Sequence, residues 1–117
     1  MTDMTFNEYR KQIKDVKIDK NCSTYKTIEI FQGKWNLQVL FELVKYDAVR
    51  FGVLKKQVEG ITNTMLTSTL RDLESRGLVN RIQFNEVPPH VEYSLSQAGK
   101  DLYPIFLEMF RWNNMHQ

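Results

Sequence analysis

One stretch decides the fold, and it reads ITNTMLTSTLRDLESRGL from Ile61 to Leu78. Three leucines within it recur at i, i+4 and i+7, the spacing of one helical face: Leu66, Leu70 and Leu73. Thr62 stands where an N-cap is expected, and Gly77 where a left-handed residue would end the helix. The stretch therefore predicts an amphipathic helix between Thr62 and Gly77.

The face opposite the leucines carries short hydrogen-bonding side chains and one long cation: Asn63, Thr64, Thr67, Ser68 and Arg71. A helix face that is only exposed to solvent and binds nothing would favour Glu, Lys and Gln, which are better helix formers than Thr and Ser. Small hydroxyls in their place indicate a surface that must approach another molecule closely. We predict that these five side chains read the edges of base pairs, with a merely solvated face as the alternative.

The flanks of this helix complete a recognisable order of elements. Three apolar residues upstream are spaced i, i+3 and i+7 on a shorter helix that Gly60 can close: Phe51, Leu54 and Val58. Downstream, residues 78–84 and 91–95 alternate well enough to be strands, and the Pro-rich residues 85–90 between them form a tip. Residues 48–50 could add a small third strand. Helix, turn, helix, strand, loop and strand is the order of a winged helix-turn-helix.

Composition and charge agree with a nucleic-acid partner without requiring one. The chain has 117 residues, 42% of them hydrophobic and 26% charged, which is ordinary for one soluble globular domain. The net charge is only +2, but residues 50–81 hold six lysines and arginines against three acidic residues. We predict contacts with the DNA backbone for the basic residues of the motif and wing: Arg50, Lys55, Lys56, Arg81 and His90.

The sequence lacks the signals typical of enzymes, of metal or cofactor binding and of membrane proteins. Carboxylates are scattered, no Gly-rich phosphate loop occurs, and the two histidines lie far apart, at His90 and His116. We therefore expect no catalysis, no metal and no cofactor. No run approaches the ~18 apolar residues of a membrane span, and no signal peptide opens the chain. A single cysteine cannot form an intramolecular disulfide, which favours a cytoplasmic protein. Because no membrane span is expected, we also predict no membrane partner.

Three further helices are predicted outside the motif. Residues 5–8 form a capping box for a first helix that ends near Lys17 and carries one apolar stripe: Phe6, Tyr9, Ile13 and Val16. This stripe must bury against the same chain or a partner subunit. A second helix, Ser23–Gln32, should turn Ile28 and Phe31 inward and end at Gly33. A third, at residues 34–45, has a stripe of Leu37, Leu40, Phe41 and Val44, widened by Val39 and Leu43.

The C-terminal region predicts self-association. Ser96 is a good N-cap for a last helix at residues 97–113, which is apolar on most sides and should bend at Pro104. A second copy is the economical partner for such a helix, so we expect an interface that includes Phe6, Tyr9, Tyr103, Phe106, Phe110 and Trp112. The predicted organisation is an extension at residues 1–21, a winged helix-turn-helix at 22–96 and a dimerisation helix at 97–117, all within one compact domain.

Long segments of the sequence resemble a known family. RFGVLKKQVEGITNTMLTSTLRDLESRGLVNR at residues 50–81 and EVPPHVEYSLSQAGKDL at 86–102 resemble the HxlR-type family of bacterial transcription regulators, relatives of the MarR group. GKW at residues 33–35 and the lone Cys22 match as well, so the resemblance covers roughly residues 22–112. Two positions depart from the family pattern: Ser23 follows the cysteine where proline is usual, and Val53 stands where an acidic residue is expected.

The resemblance bears on Cys22, for which two interpretations remain. A cysteine before a helix is often only a small apolar residue. The positive end of the following helix, with Lys20 and Lys26 nearby, would instead lower the thiol pKa. Some members of the resembled family are thought to sense oxidants or electrophiles at this position. The aromatic residues are typical of a core and a dimer interface, and they leave open a pocket for a small apolar effector.

The sequence as a whole predicts a mainly α protein with a small antiparallel β wing, a dimeric winged helix-turn-helix. Its expected function is a sequence-specific transcription regulator, a repressor that binds double-stranded DNA as a homodimer on a near-palindromic operator. Half-sites would lie about one helical turn, ~34 Å, apart. The competing interpretation is a winged helix that serves as a protein interaction module without specific DNA binding.

Overall fold

The computed structural model describes residues 4–117, and its elements follow the predicted order. They are α1 Phe6–Ile13, α2 Ser23–Gln32, α3 Asn36–Val44, β1 Val49–Arg50, α4 Phe51–Gln57, α5 Asn63–Ser75, β2 Val79–Phe84, β3 His90–Leu95, α6 Gln97–Lys100 and α7 Tyr103–His116. The mainly α winged helix-turn-helix with a small antiparallel wing is confirmed. None of the helices within residues 4–117 combines the length and the apolar character needed to cross a membrane.

The wing is a three-stranded antiparallel sheet with the order β1-β3-β2. Val79 pairs with Leu95 at the base of the β2–β3 hairpin, and Phe84 pairs with His90 near its tip. The short strand expected at residues 48–50 is present as β1, where Val49 pairs with Tyr93. The first helix of the motif therefore begins directly from the sheet, which fixes the motif against the wing.

The core lies between α3, the two helices of the motif and the base of the sheet. The three leucines of α5 are no more than 2% exposed, as their spacing predicted. Each such burial contributes about 1.5–3 kcal/mol relative to an exposed side chain. The buried hydrophobic residues are Val39, Leu40, Leu43, Val49, Leu54, Val58, Ile61, Leu66, Leu70, Leu73, Leu78, Val79 and Leu95.

The predicted ends of α5 are confirmed. The Thr62 hydroxyl accepts a hydrogen bond from the Met65 backbone N–H at 3.1 Å, which satisfies one of the free donors at the helix N-terminus. After the helix, Gly77 adopts a φ of 76°, a left-handed conformation that L side chains rarely tolerate. Gly60, in the turn between α4 and α5, has a φ of 82° for the same reason.

The apolar stripe predicted for α3 is wrong, because the buried face is shifted by one residue toward the N-terminus. Its buried residues are spaced i, i+3, i+4 and i+7 and include a polar one: Asn36, Val39, Leu40 and Leu43. Phe41 and Val44 are instead 49% and 47% exposed. The prediction followed hydrophobicity alone and so passed over the asparagine, although Asn36 completes the buried face. Phe41 faces α7, where its ring contacts that of Phe106 edge-on.

Two smaller expectations about the N-terminal helices also fail. The second helix has the predicted bounds, but Ile28 is 36% exposed and Ile30 packs against the core in its place. Phe31 is half-buried. The first helix ends at Ile13 rather than near Lys17, although the Thr5 hydroxyl does accept the Glu8 N–H as its cap, at 3.2 Å.

The single C-terminal helix predicted at residues 97–113 is divided in two. Ser96 caps α6 by accepting the Gly99 N–H, but α6 ends at Lys100. Pro104 lies in the first turn of α7. Proline is well suited to this place because the first-turn N–H groups have no partner within the helix. Pro104 thus begins a second helix, where a bend in one continuous helix was expected.

Candidate nucleic-acid interface

The five polar residues predicted to read bases lie together on α5. They line one shallow depression of about 420 Å³: Asn63, Thr64, Thr67, Ser68 and Arg71. Four are exposed, and Thr67 is half-buried. Because the buried leucines fix the rotation of the helix, the short side chains face outward and allow another surface to approach the helix backbone. Arg71 supplies a planar fork of N–H donors that can pair with a base edge or a phosphate.

A second recess lies between α5 and the wing. It has a volume of about 480 Å³, and Arg71 and Arg81 both line it, together with Glu74 and Tyr93. Arg81 lies opposite Tyr93 in the β2–β3 ladder. The structure therefore brings a recognition-helix cation and a wing cation to one groove. Sequence reasoning missed Tyr93 because strand register determines which wing side chain faces the helix, and it missed Glu74 although its spacing of i+3 from Arg71 was a signal.

The basic residues of α4 lie at its two ends. Arg50 is the N-cap and is exposed, while Lys55 and Lys56 occupy the last turn, where a cation interacts favourably with the helix dipole. Among the ion pairs formed by residues 4–117, none engages these three residues or the arginines at positions 71 and 81. Their charges are therefore available to phosphate groups.

His90 is held within the wing. Its Nε2 lies 2.9 Å from Oε2 of Glu92, and its ring stacks on Phe84 with centroids 4.7 Å apart. Only 13% of the side chain is exposed, and Nδ1 lies 3.9 Å from a carboxylate oxygen of Glu86. A phosphate would have to displace Glu92 to bind Nε2, whereas Nδ1 lies next to the exposed carboxylate of Glu86. His90 thus differs from the four basic residues with which it was predicted to contact DNA, because those four have no ion pair among residues 4–117.

A polar cluster at one side of α5 was not predicted. The buried Asn36 donates through Nδ2 to the Ile30 carbonyl at 2.7 Å and to Oδ2 of Asp72 at 3.2 Å. Arg76 donates through Nε to the same Asp72 oxygen at 2.9 Å. A Cβ atom at Gly33 would lie only 2.7 Å from the Asn36 side chain. The cluster ties the recognition helix to α2 and α3, and the sequence signal for it was an asparagine at a core position.

Cys22 lies at the N-cap of α2 and is partly exposed. The backbone N–H groups of Thr24 and Tyr25 lower the pKa of its thiol, although neither makes a regular capping hydrogen bond to the sulfur. The Thr24 hydroxyl also lowers this pKa, whereas burial and the Asp19 carboxylate raise it. The direction agrees with the reactive interpretation of this cysteine. Within residues 4–117 no group of three or more His, Cys, Asp or Glu side chains could hold a metal ion.

The helix α5 exposes hydroxyl groups and an arginine, the wing lies beside it, and each carries an arginine without an ion pair among residues 4–117. These features define a winged helix-turn-helix DNA-binding protein. The family model of the HxlR-like helix-turn-helix matches residues 30–117. The chain belongs to this family.

Relatives support the same identification. The HTH-type transcriptional regulator YdzF of Bacillus subtilis is 40% identical over 86 residues, which cover 74% of this chain and 79% of YdzF. A protein from Porphyromonas gingivalis W83, described as a MarR-family transcriptional regulator, has a TM-score of 0.78 and 36% identity, covering 86% of this chain and 98% of that one. The redox regulator HypR in its oxidized form has a TM-score of 0.72 and 35% identity, covering 82% and 98%. A DNA-binding transcription regulator is thereby favoured over the interaction module that the sequence left open.

Proposed function

We propose that this protein is a homodimeric repressor that binds a near-palindromic operator and responds to oxidants or electrophiles at Cys22. The observation that carries the dimer is the large apolar surface of α1 and α7, neither of which buries a residue. Five of the six residues predicted at the interface are between 52% and 71% exposed: Phe6, Tyr9, Tyr103, Phe110 and Trp112. The sixth, Phe106, is half-buried against the core.

The dimensions of the chain support this dimer. Its accessible surface is 9016 Å², whereas a folded monomer of 13.9 kDa should expose about 6,700 Å². The excess of about 2,300 Å² per chain is what an extensive obligate interface would cover. Its radius of gyration is 16.9 Å, against about 13 Å for a compact chain of this length. The residues 1–21 and 97–117 would then contribute the dimer surface, and the residues between them would bind DNA.

On DNA, each copy would place α5 in the major groove of one half-site, with half-sites ~34 Å apart. Asn63, Thr64, Thr67, Ser68 and Arg71 would read bases. Arg50, Lys55, Lys56 and Arg81 would contact phosphates, and Nε2 of His90 would do so only after its pair with Glu92 opens. The recess between α5 and the wing supports this division, because a backbone lying in it would pass between Arg71 and Arg81.

The sensing part of the proposal rests on Cys22. HypR, a solved relative, is described as a redox regulator, and the lowered thiol pKa favours the reactive thiolate. Because the chain has one cysteine, an oxidised Cys22 could form a disulfide only with a second protein chain or with a small thiol. Modification at the start of α2 would act on the same helix that the Asn36 cluster joins to the recognition helix.

The test starts from genomic fragments of the source organism that the purified protein retains. We expect one palindromic motif to be enriched, with two chains bound per site at saturation. A reporter driven by the neighbouring promoter should rise when the protein is removed. Enrichment no greater than in the input, or one chain per site, would contradict the operator model, and a fall in the reporter would contradict repression.

A further inference from the structure

A pocket of about 410 Å³ lies where α3, the end of α4 and α7 meet. Its size falls within the range of small-molecule sites, about 300–1,000 Å³. Most of its wall is apolar, and it includes the edge-on aromatic pair of Phe41 and Phe106, with Val58 and Met109 beside it. The pocket is distinct from the recesses on α5 and therefore from the proposed DNA interface.

The charged groups on this wall are all acidic. Glu42 and Glu59 line the pocket, and no lysine, arginine or histidine does. The Glu42 side chain is only 12% exposed. Its Oε1 accepts from Lys45 Nζ at 2.9 Å, but its Oε2 is buried and has no hydrogen-bond partner among residues 4–117. A buried carboxylate oxygen without a donor is unfavourable, so a ligand that supplies one would be stabilised there.

Lys45 shows that an ammonium group fits beside these residues. Its Nζ lies 5.3 Å from the centroid of the Phe41 ring while it pairs with Glu42. An aromatic face and a carboxylate are the two features by which proteins hold organic cations. A second ammonium group, on a ligand, would have the same kind of ring beside it and would pair with the second oxygen of the same carboxylate once that oxygen turns toward the pocket.

We propose that this pocket binds an organic cation, a primary ammonium group carried on a short aromatic or aliphatic body. The ammonium donates to Glu42 Oε2 after a rotation of that side chain toward the pocket, because the oxygen is shielded from solvent in its present rotamer. The apolar body packs between Phe106 and Val58. An anionic ligand is disfavoured by Glu42 and Glu59 together.

The position of the pocket also bears on regulation. Val58 and Glu59 lead from α4 into the turn before the recognition helix, whereas Phe106 and Met109 belong to the proposed dimerisation helix. A ligand that contacts both would change operator affinity if it binds one arrangement of these elements better than the other. This regulatory part rests on the proposed function, whereas the binding part does not.

The binding test uses the full-length protein without DNA and three probes of similar size. They are 3-phenylpropylamine, the neutral 3-phenylpropan-1-ol and the anionic 3-phenylpropanoate. We expect the amine to bind at least tenfold more tightly than the alcohol, and the acid more weakly still. Glu42→Gln should bring amine and alcohol to equal affinity, whereas Glu29→Gln, on α2 and outside this pocket, should leave the preference intact.

Methionine methyl signals locate the probe in the unmodified protein, so the result does not depend on a variant that folds. The Met109 signal should move on addition of the amine, whereas that of Met65, on the recognition helix, should stay. Equal affinity for amine and alcohol, a preference that survives Glu42→Gln, or an unchanged Met109 signal would each overturn the site. An unchanged Met109 signal is also the result expected if a second copy fills the pocket.

The regulatory test repeats the operator titration with saturating amine. A change in operator affinity of fivefold or more that is lost in Glu42→Gln would support regulation through this pocket. If Met109 shifts but operator affinity is unchanged, the binding site stands and the regulatory role is overturned. Failure of operator binding in the absence of amine would instead contradict the proposed function alone.

Discussion

Nδ2 of Asn36 lies 3.2 Å from Oδ2 of Asp72, and this hydrogen bond joins the start of α3 to one side of the recognition helix. The same amide donates to the carbonyl of Ile30 at 2.7 Å. One buried side chain therefore holds the ends of two helices against α5. Because Asp72 lies one helical turn after Ser68, at the edge of the proposed base-reading face, the angle at which that face is presented depends on this contact.

Removing the Asn36 amide should destabilise the protein. In Asn36→Ala the Ile30 carbonyl and Asp72 both lose a donor, which we expect to lower the free energy of unfolding by ~1–3 kcal/mol. Urea denaturation measures this free energy of unfolding. The control is Asn80→Ala on the exposed surface of the wing, which should change stability by less than about 0.5 kcal/mol. Equal effects of the two substitutions would mean that the cluster does not hold α5.

Gly33→Ala tests the space beside Asn36. The backbone of Gly33 is extended, with φ −64° and ψ 133°, so alanine is free of backbone strain there. Its Cβ would nevertheless lie 2.7 Å from a buried, hydrogen-bonded amide, and we expect a loss of ~1–3 kcal/mol.

Gly52→Ala is the matched control, because no atom of the described residues 4–117 would lie within 4 Å of its new Cβ and Gly52 is within α4. That change should stabilise by about 0.5–1 kcal/mol through helix propensity. Thermal unfolding of both variants gives the comparison. If Gly33→Ala proves as stable as the parent, the Asn36 side chain is not fixed as the structure shows it.

Phe110→Asp should weaken the dimer. Phe110 is 63% exposed in one chain, so an aspartate costs little in the monomer but would bury an unpaired charge in the proposed interface. Sedimentation should give twice the chain mass of 13.9 kDa for the parent and a shift toward 13.9 kDa for the variant. Val87→Asp, at a fully exposed wing-tip position, should leave the dimer intact. A parent protein that sediments as a monomer would remove the two-half-site model.

Cys22 should react as a thiolate at lower pH than an ordinary cysteine. The N–H groups of Thr24 and Tyr25 lower its pKa, so the charged form persists as pH falls and protonates only below the pKa of the unfolded chain. The rate of alkylation by iodoacetamide, measured from pH 5 to 10, should have a lower midpoint in the folded protein than in denaturant. Coincident midpoints would show that the fold does not activate this thiol.

Periodicity and capping were sufficient to predict most of the fold. The spacing of the α5 leucines fixed its buried face, and Thr62 and Gly77 fixed its ends, because these signals act within a few residues. The rotation of α3 was predicted wrongly, since Asn36 is buried only through partners supplied by α2 and α5. The break at Lys100 was missed because Pro104 is equally compatible with a bent helix and with a helix start.

The candidate site was also predicted only in part. The exposed residues of α5 were predictable, since facing away from the leucines was sufficient to place them together. The recess that Arg71 and Arg81 share depends on strand register, and the pairing of His90 with Glu92 depends on the hairpin. Both features depend on contacts between residues from different elements or on side-chain positions, and the residue composition of the motif does not predict these.

The central claim is that the exposed face of α5 reads bases while Lys55 and Lys56 contact phosphates. Titrations on operator and scrambled duplexes at several salt concentrations test it most directly. Arg71→Ala should cost ~1–3 kcal/mol on the operator and flatten discrimination at one position per half-site, with Thr67→Ala weaker but confined to the operator. Lys55→Ala should weaken both duplexes alike and make the salt dependence shallower. If Arg71→Ala instead weakens both duplexes equally, Arg71 is a phosphate contact and the assignment of base reading to it is wrong.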